Sequence, residues 1–427
     1  MASFRDKRRF GLEDGEGEQV DVTELENPVE GVEAKLIEVE GLDREIEDMA
    51  ADGEALSEDT AQVEQIADAV EDAVEGGEGM DETAARVADV ALEHYHEKWG
   101  LGRRTSVGNE SFGSANTRLR ATKAGLESIK DTLVRMWETF VEWLGELINK
   151  LRDFWVKYVN AGKALKKRID KLEERLENGL GTQDKKTISG SFISDLTIDG
   201  TFNVGAVEAL SSTIDKDTHE LIGTIALDLT ENSKLVKAGG GVANEGKPVE
   251  FGKKTTKAMG SVPNGSTAIL AYALPGNTYL LSYKAPVPEG LKDEKGVAVN
   301  NGILHTRIVS GGTDKVVTKV DTPDAAKMKS ALAAARKFAD TMETRITEFR
   351  GLQDKMKELQ SASKEAVKAM KDVESGNAAI ARYTRNKAQA AVANHQNAQK
   401  AITGTLKAGG VGLCNYVQAG LAAYKKA

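Results

Sequence analysis

Residues 136–176 read MWETFVEWLGELINKLRDFWVKYVNAGKALKKRIDKLEERL, and the spacing of their apolar side chains decides the fold class. Leu133, Trp137, Phe140, Leu144, Leu147, Leu151, Phe154 and Tyr158 fall at alternating steps of four and three, the seam of a helix that packs lengthwise on other helices. Val134, Val141, Ile148 and Trp155 form a second row at seven-residue steps and widen the stripe. No proline interrupts Asn116–Asn178, so the pattern predicts one helix of roughly 90 Å or two nearly continuous ones. After Asn160-Ala161-Gly162 the stripe resumes in a shifted phase at Leu165, Ile169, Leu172 and Leu176, which places a kink, stutter or break near Gly162.

Beyond this helix the texture changes. Five of the seven prolines and many glycines fall in 186–322, between short β-favouring runs. Strands are expected at Thr187–Ile193, Leu196–Phe202, Ile222–Leu229, Ala268–Leu274, Thr278–Tyr283, Ile303–Val309 and Lys315–Val320. Turn signals stand at Pro263–Gly265 and Pro275–Asn277, the latter joining a hairpin. This punctuation suits an antiparallel sheet rather than βαβ units. AGGGVANEGK at Ala238–Lys247 lacks the residue order of a phosphate loop and reads as a loop only.

Pro323 opens a second helical region, with an apolar stripe through Phe338, Met342, Ile346, Phe349, Leu352, Met356 and Leu359. A further Ala-rich helix is expected from about Asn377 to Thr403, broken by AGGVG at Ala408–Gly412 before a last short helix. The simplest assembly packs the Asn116–Asn178 helix on the Asp324–Glu374 helices, with the β domain inserted at one end.

The charge is divided just as sharply. The whole chain has 57 bases and 67 acids, a net of −10. Residues 1–110 hold 10 bases and 32 acids, a net of −22, which leaves 47 bases and 35 acids, or +12, in 111–427. Few aromatics accompany the acids, so extended or disordered structure is expected before about Leu56, with short helices at Asp59–Val74 and Asp81–Trp99. Downstream, Lys163, Lys166, Lys167, Arg168 and Lys171 cluster within nine residues. After Glu374 there is no acid, while Arg382, Arg385 and Lys387 begin a series of bases that ends at Lys426. Such residues displace counterions from DNA and bind without reading sequence.

The chemistry expected of an enzyme is not visible. His94-Tyr95-His96 lacks the i,i+3 or i,i+4 spacing of helical metal ligands, and His219, His305 and His395 are isolated. The single cysteine, Cys414, excludes a disulfide framework and reads as packed in GLCNY. No catalytic, metal or cofactor motif stands out, and no apolar run is long enough for a transmembrane helix.

At the charge boundary the sequence is SVGNESFGS, Ser106 to Ser114. Its Gly108-Asn109-Glu110 triplet, followed by Ser111, resembles the small residue–X–Glu sites cut by the prohead proteases of giant phiKZ-like bacteriophages. Acidic Glu-rich segment, loop-like cut site and aromatic-basic helix together resemble the internal head, or inner-body, proteins of those phages over residues 1–180. The resemblance implies an acidic propeptide at 1–110 and a basic mature part. It also implies the prohead protease, other head proteins, non-specific packaged DNA and further copies of the chain as partners, with a place inside the virion and then, after ejection, the host cytoplasm.

The expected protein is therefore of the α+β class. A largely disordered acidic propeptide (1–110) precedes a long amphipathic helix (111–185), a β-rich domain (186–322) and a C-terminal helical region (323–427). The expected function is that of a non-enzymatic internal head protein packaged with the genome and trimmed after Glu110. The rival readings are a host-directed or membrane-active effector and, third, a soluble enzyme. A membrane partner is disfavoured because Glu138, Glu142, Glu146 and Asp153 interleave with the aromatics.

Overall fold

A computed structural model describes residues 28–102, 114–238, 247–286, 302–312, 317–370 and 378–425. The architecture is a helical body with small antiparallel sheets, as the sequence implies. Helices α1 (Pro28–Glu75), α2 (Glu82–Trp99) and α3 (Ala115–Glu177) come first. Short elements follow: β1 (Thr187–Ile188), α4 (Phe192–Asp195), β2 (Thr197–Ile198), β3 (Thr201–Phe202) and α5 (Val204–Ser211). Helix α6 (Ile214–Lys237) precedes strands β4 (Lys253–Thr255), β5 (Thr267–Leu274), β6 (Thr278–Ala285), β7 (Ile303–Ser310) and β8 (Val320–Asp321). The chain ends in α7 (Ala325–Thr344), α8 (Ile346–Met370) and α9 (Ala378–Leu421).

The chain divides into two compact units. The first takes the described residues of Arg44–Asn149 and Gln360–Ala378. Here α1 and α2 pack on the N-terminal half of α3. Helix α2 is closed at both ends: Asp81 accepts the Ala84 N–H, and Gly100 takes the left-handed conformation at the C-terminus. Leu56, Val63, Val70, Leu92, Trp99, Trp137, Phe140 and Leu144 are all buried in this unit. Gln360 of α8 donates to the Val141 carbonyl of α3 at 3.0 Å.

Pro28–Leu56 is helical where the acid content pointed to extended chain. Composition hid the reason: Val39, Ile46, Met49, Leu56, Val63 and Val70 are buried at steps of seven, three, seven, seven and seven. Most of the acids fill the exposed positions between, and the buried Asp52, Asp59 and Glu64 lie beside an apolar seam that runs the length of the helix despite its charge. Residues 1–27 lie outside the described part.

The second unit takes the described residues of Thr23–Asp43, Lys150–Leu359 and Ala379–Ala427. Its core is the C-terminal half of α3 against α7, α8 and α9. Trp155 stacks on Phe349 of α8, and the Tyr158 hydroxyl donates to the Thr403 carbonyl of α9 at 3.1 Å. Helix α3 runs unbroken through Gly162, because at that point Met342 and Ala339 of α7 close in where a side chain would stand. Helix α9 likewise continues through the AGGVG segment. Gly409 packs on the Phe338 ring and Gly410 on Leu165, so these glycines admit neighbouring helices instead of ending their own.

Within the second unit the β-rich stretch forms a four-stranded antiparallel sheet in the order β4-β5-β6-β7, with two smaller two-stranded pairings. Pro275–Asn277 makes the expected hairpin turn, with Gly276 and Asn277 at φ 80° and 53°. Ala271, Ala273, Tyr279 and Leu281 of β5 and β6 pack with Ile198 and Ala258 beneath the sheet. Strand β7 is an edge strand, and Asn394 of α9 covers it by accepting the Thr306 N–H at 2.6 Å and donating to the Leu304 carbonyl at 2.9 Å.

Several expected strands are corrected. Ile222–Leu229 lies inside α6, whose buried Ile214, Thr218, Leu221, Ile222, Ile225, Leu229 and Val236 keep a helical rhythm despite β-branched residues. Thr187–Ile193 reduces to β1 followed by α4, and Leu196–Phe202 folds into the tight β2–β3 pair. Of Lys315–Val320, residues 315 and 316 lie outside the described part, and only Val320 is in a strand.

Candidate nucleic-acid interface

Position on α3 separates the clustered bases into two groups. Lys163, Lys167 and Lys171 are exposed and stand four residues apart, which places them on one face of the helix. Arg175, also exposed, extends the same row; the four-residue step could have found it. None of the four makes an ion pair among the described residues. The row spans roughly 18 Å of helix. On its flank, Asp170 and Glu173 share the single charge of Arg336 of α7 at 2.6 Å each, so their two negative charges are offset only in part.

The other two bases of the cluster serve the packing of this unit. Lys166 is held between Asp340 at 2.6 Å and Glu343 at 2.7 Å. Burial lowers its pKa, but hydrogen bonds to the two carboxylates outweigh that and raise it. Arg168 is buried and donates to Asn415 and Gln418 of α9 at 2.8 and 2.5 Å.

The acid-free C-terminal stretch is helix α9, and much of it is interior. Lys387 is 6% exposed. Burial pushes its pKa down against the opposing pull of Asp228 and Glu231 on α6. Asp228 is raised in turn, by burial first, with Lys387, Asn394 and Asn232 working the other way. Arg385 is half-buried, and Arg382 lies in the first turns of the helix. Lys425 pairs with Asp184 at 3.7 Å. The structure thus brings the lysine row together on α3, engages the half-buried Lys166 with α7 and places Arg168 and Lys387 inside the unit.

Gly108, Asn109, Glu110 and Ser111 lie outside the described residues. The segment that holds them is bounded by Gly102, whose carbonyl bonds the His96 ring at 3.0 Å, and by Ser114 at the start of α3.

Other chemistry-bearing groups are packed. Cys414 is fully buried, and burial pushes its thiol up to about 12. His395 is buried and held down to about 4. His96 bridges the Gly102 carbonyl and Thr132. A cleft of about 550 Å³ in the β domain is lined by Ser191, Ser194, Thr197, Asn277, Thr278 and Thr318 among glycines, and no lining side chain is titratable. Among the described residues, no group of three His, Cys, Asp or Glu side chains could hold a metal ion, and no helix is long and apolar enough to cross a membrane.

Compared with known proteins, residues 42–426 match a family model described as phiKZ-like phage internal head proteins. The match runs through the β domain and includes most of α1 and all of α2. No curated protein and no solved structure matches the chain.

Proposed function

The chain belongs to the phiKZ-like phage internal head proteins, structural components inside the virion head, and from that premise we propose that it is packaged with the genome, is cut by the prohead protease after Glu110 and touches DNA through α3. The observation that carries the DNA reading is the exposed row Lys163, Lys167, Lys171 and Arg175, without an ion pair among the described residues. A row of cations on a rigid helix binds by releasing phosphate counterions, without base contacts. The cut at Glu110 rests on the Gly-Asn-Glu triplet standing where the charge changes sign. Contacts with other head proteins, self-association and departure with the DNA at infection complete this reading. A membrane-active role has less support, because Trp137, Trp143 and Trp155 are all buried.

Two measurements test it. Mass spectrometry of the chain taken from purified virions should find a mature N-terminus at Ser111; uncut chain at full stoichiometry overturns the processing. Salt titration of DNA binding by the same material should give a steep dependence. The triple change Lys163→Glu, Lys167→Glu and Lys171→Glu should reduce the slope by about three, near 0.9 for each phosphate the row no longer neutralises. An unchanged slope removes this row from the interface.

A further inference from the structure

From Arg44 onward the acidic helices belong to the first unit and are bonded to α3 at several points. Trp143 of α3 is 3% exposed and donates its indole N–H to the Met49 carbonyl of α1 at 2.8 Å. Its ring lies against Gly53, where an added Cβ would stand 2.3 Å away. The Met80 N–H, in the turn between α1 and α2, donates to Thr122 at 2.8 Å. His96 meets Thr132, and Arg135 donates to the Leu101 carbonyl at 2.6 Å. The acidic pair is also fastened to itself: the Trp99 indole donates to Asp59 at 2.7 Å, and Tyr95 to Gln62 at 2.5 Å. These contacts run along both acidic helices and close over buried Leu56, Val63, Leu92 and Trp99.

We infer that residues 44–102 form a docked subunit of the N-terminal half of α3, and that cutting the chain between 103 and 113 leaves them bound. The surface is the aromatic face of α3, and the partner it fits is this chain's own acidic helix pair. The chain joining them is not what holds them. Buried apolar seams and hydrogen bonds to α3 remain when a peptide bond is broken; only the effective concentration of one piece near the other falls. The inference deepens the processing reading, since it says what becomes of the product. The processed protein is then a two-piece particle that keeps both the acidic helices and the basic row of α3. Loss of the acidic helices would require further cutting inside α1 or α2, or unfolding.

The test uses the full chain carrying a recognition site for a sequence-specific protease within residues 103–113. After nicking in native buffer, gel filtration with light scattering should show both pieces eluting together at the mass of the uncut protein. Separation of the acidic piece overturns the inference. Gly53→Leu, driven into the Trp143 ring, should release the acidic piece after nicking, with at least a tenfold weaker association. Gly41→Leu, which meets nothing within 4 Å, should not. Retention in both variants overturns the assigned contact. If Gly53→Leu does not fold, hydrogen exchange on the nicked parent chain decides: amides of 49–70 should stay protected, and exchange at unfolded rates overturns the docking. The processing reading fails separately, on the absence of a Ser111 N-terminus in virions.

Discussion

Helices α1 and α9 are both extreme in charge, and they solve the problem of burial in opposite ways. In α1 the acids are many, yet Ile46, Leu56, Val63 and Val70 return at steps that keep one side largely apolar; most carboxylates stay outside, while Asp52, Asp59 and Glu64 are buried, Asp59 accepting the Trp99 indole N–H. In α9 there are no acids, and the helix is enclosed so fully that Lys387, Asn394, His395 and Gln399 are all buried. The comparison teaches that net charge describes a segment's surface only after its position in the fold is known. A seam through Ile46, Met49, Leu56, Val63, Ala67 and Val70 is enough to seat an acidic helix. Small residues are enough to draw a polar one into the interior.

The largest expected effect breaks the seam of α1. Leu56→Ala removes a side chain with no exposed surface and should cost about 2–5 kcal/mol in urea unfolding. Glu58→Ala, on the exposed side of the same helix, should stay within about 0.5 kcal/mol. Equal effects would mean that α1 does not depend on its apolar side.

The second sharpens the account of α9 through pH. Burial holds His395 down to about 4, whereas the unfolded chain takes up its proton near 6.5. A depressed imidazole pKa means that the unfolded state binds the proton first as the pH falls. The associated stability is therefore complete above about 6.5 and is lost progressively down to about 4, a change on the order of 3 kcal/mol. Comparing His395→Gln with the parent protein between pH 6.5 and 5 isolates this change from the titration of carboxylates. Parallel stability curves would place the imidazole in contact with water.

The smallest effect concerns the glycines of α9. Gly409→Ala sets a methyl group about 2.6 Å from the Phe338 ring and should destabilise by about 1–3 kcal/mol in thermal unfolding. Gly404→Ala, with open space around it, should instead stabilise by about 0.5–1 kcal/mol through helix propensity. The same sign at both positions would show that the close approach of α7 does not govern this stretch.

These contrasts mark where sequence was informative. Helix α3 was legible because eight seam residues repeat one rhythm, and Phe338 through Leu359 recur at steps of three and four for α7 and α8. The β5–β6 hairpin was legible from Pro275-Gly276-Asn277. Helix α6 was not, because Ile222 to Leu229 is locally β-favouring and its helical period shows only over Ile214–Val236. Gly409 and Gly410 misled for a related reason: glycine permits both a helix end and a close crossing, and Phe338 and Leu165, which decide between them, are distant in sequence. The lysine row could be found by its four-residue step. That Lys166 and Arg168 point elsewhere depends on Asp340, Glu343, Asn415 and Gln418, more than 170 residues away.

One small pairing has a mechanical consequence. Strands β1 and β8 join Thr187 to Asp321 and Ile188 to Val320, and the Thr322 N–H bonds the Lys186 carbonyl, so the β domain enters and leaves the helical body at neighbouring points. Tension drawn along the backbone from α3 to α7 reaches this pair at its open end. The pair would then unzip one hydrogen bond at a time instead of shearing all together. The segment between them is some 130 residues long, and once the pair has opened it is held to the helical body by contacts such as those of Asn394 with Thr306 and Leu304.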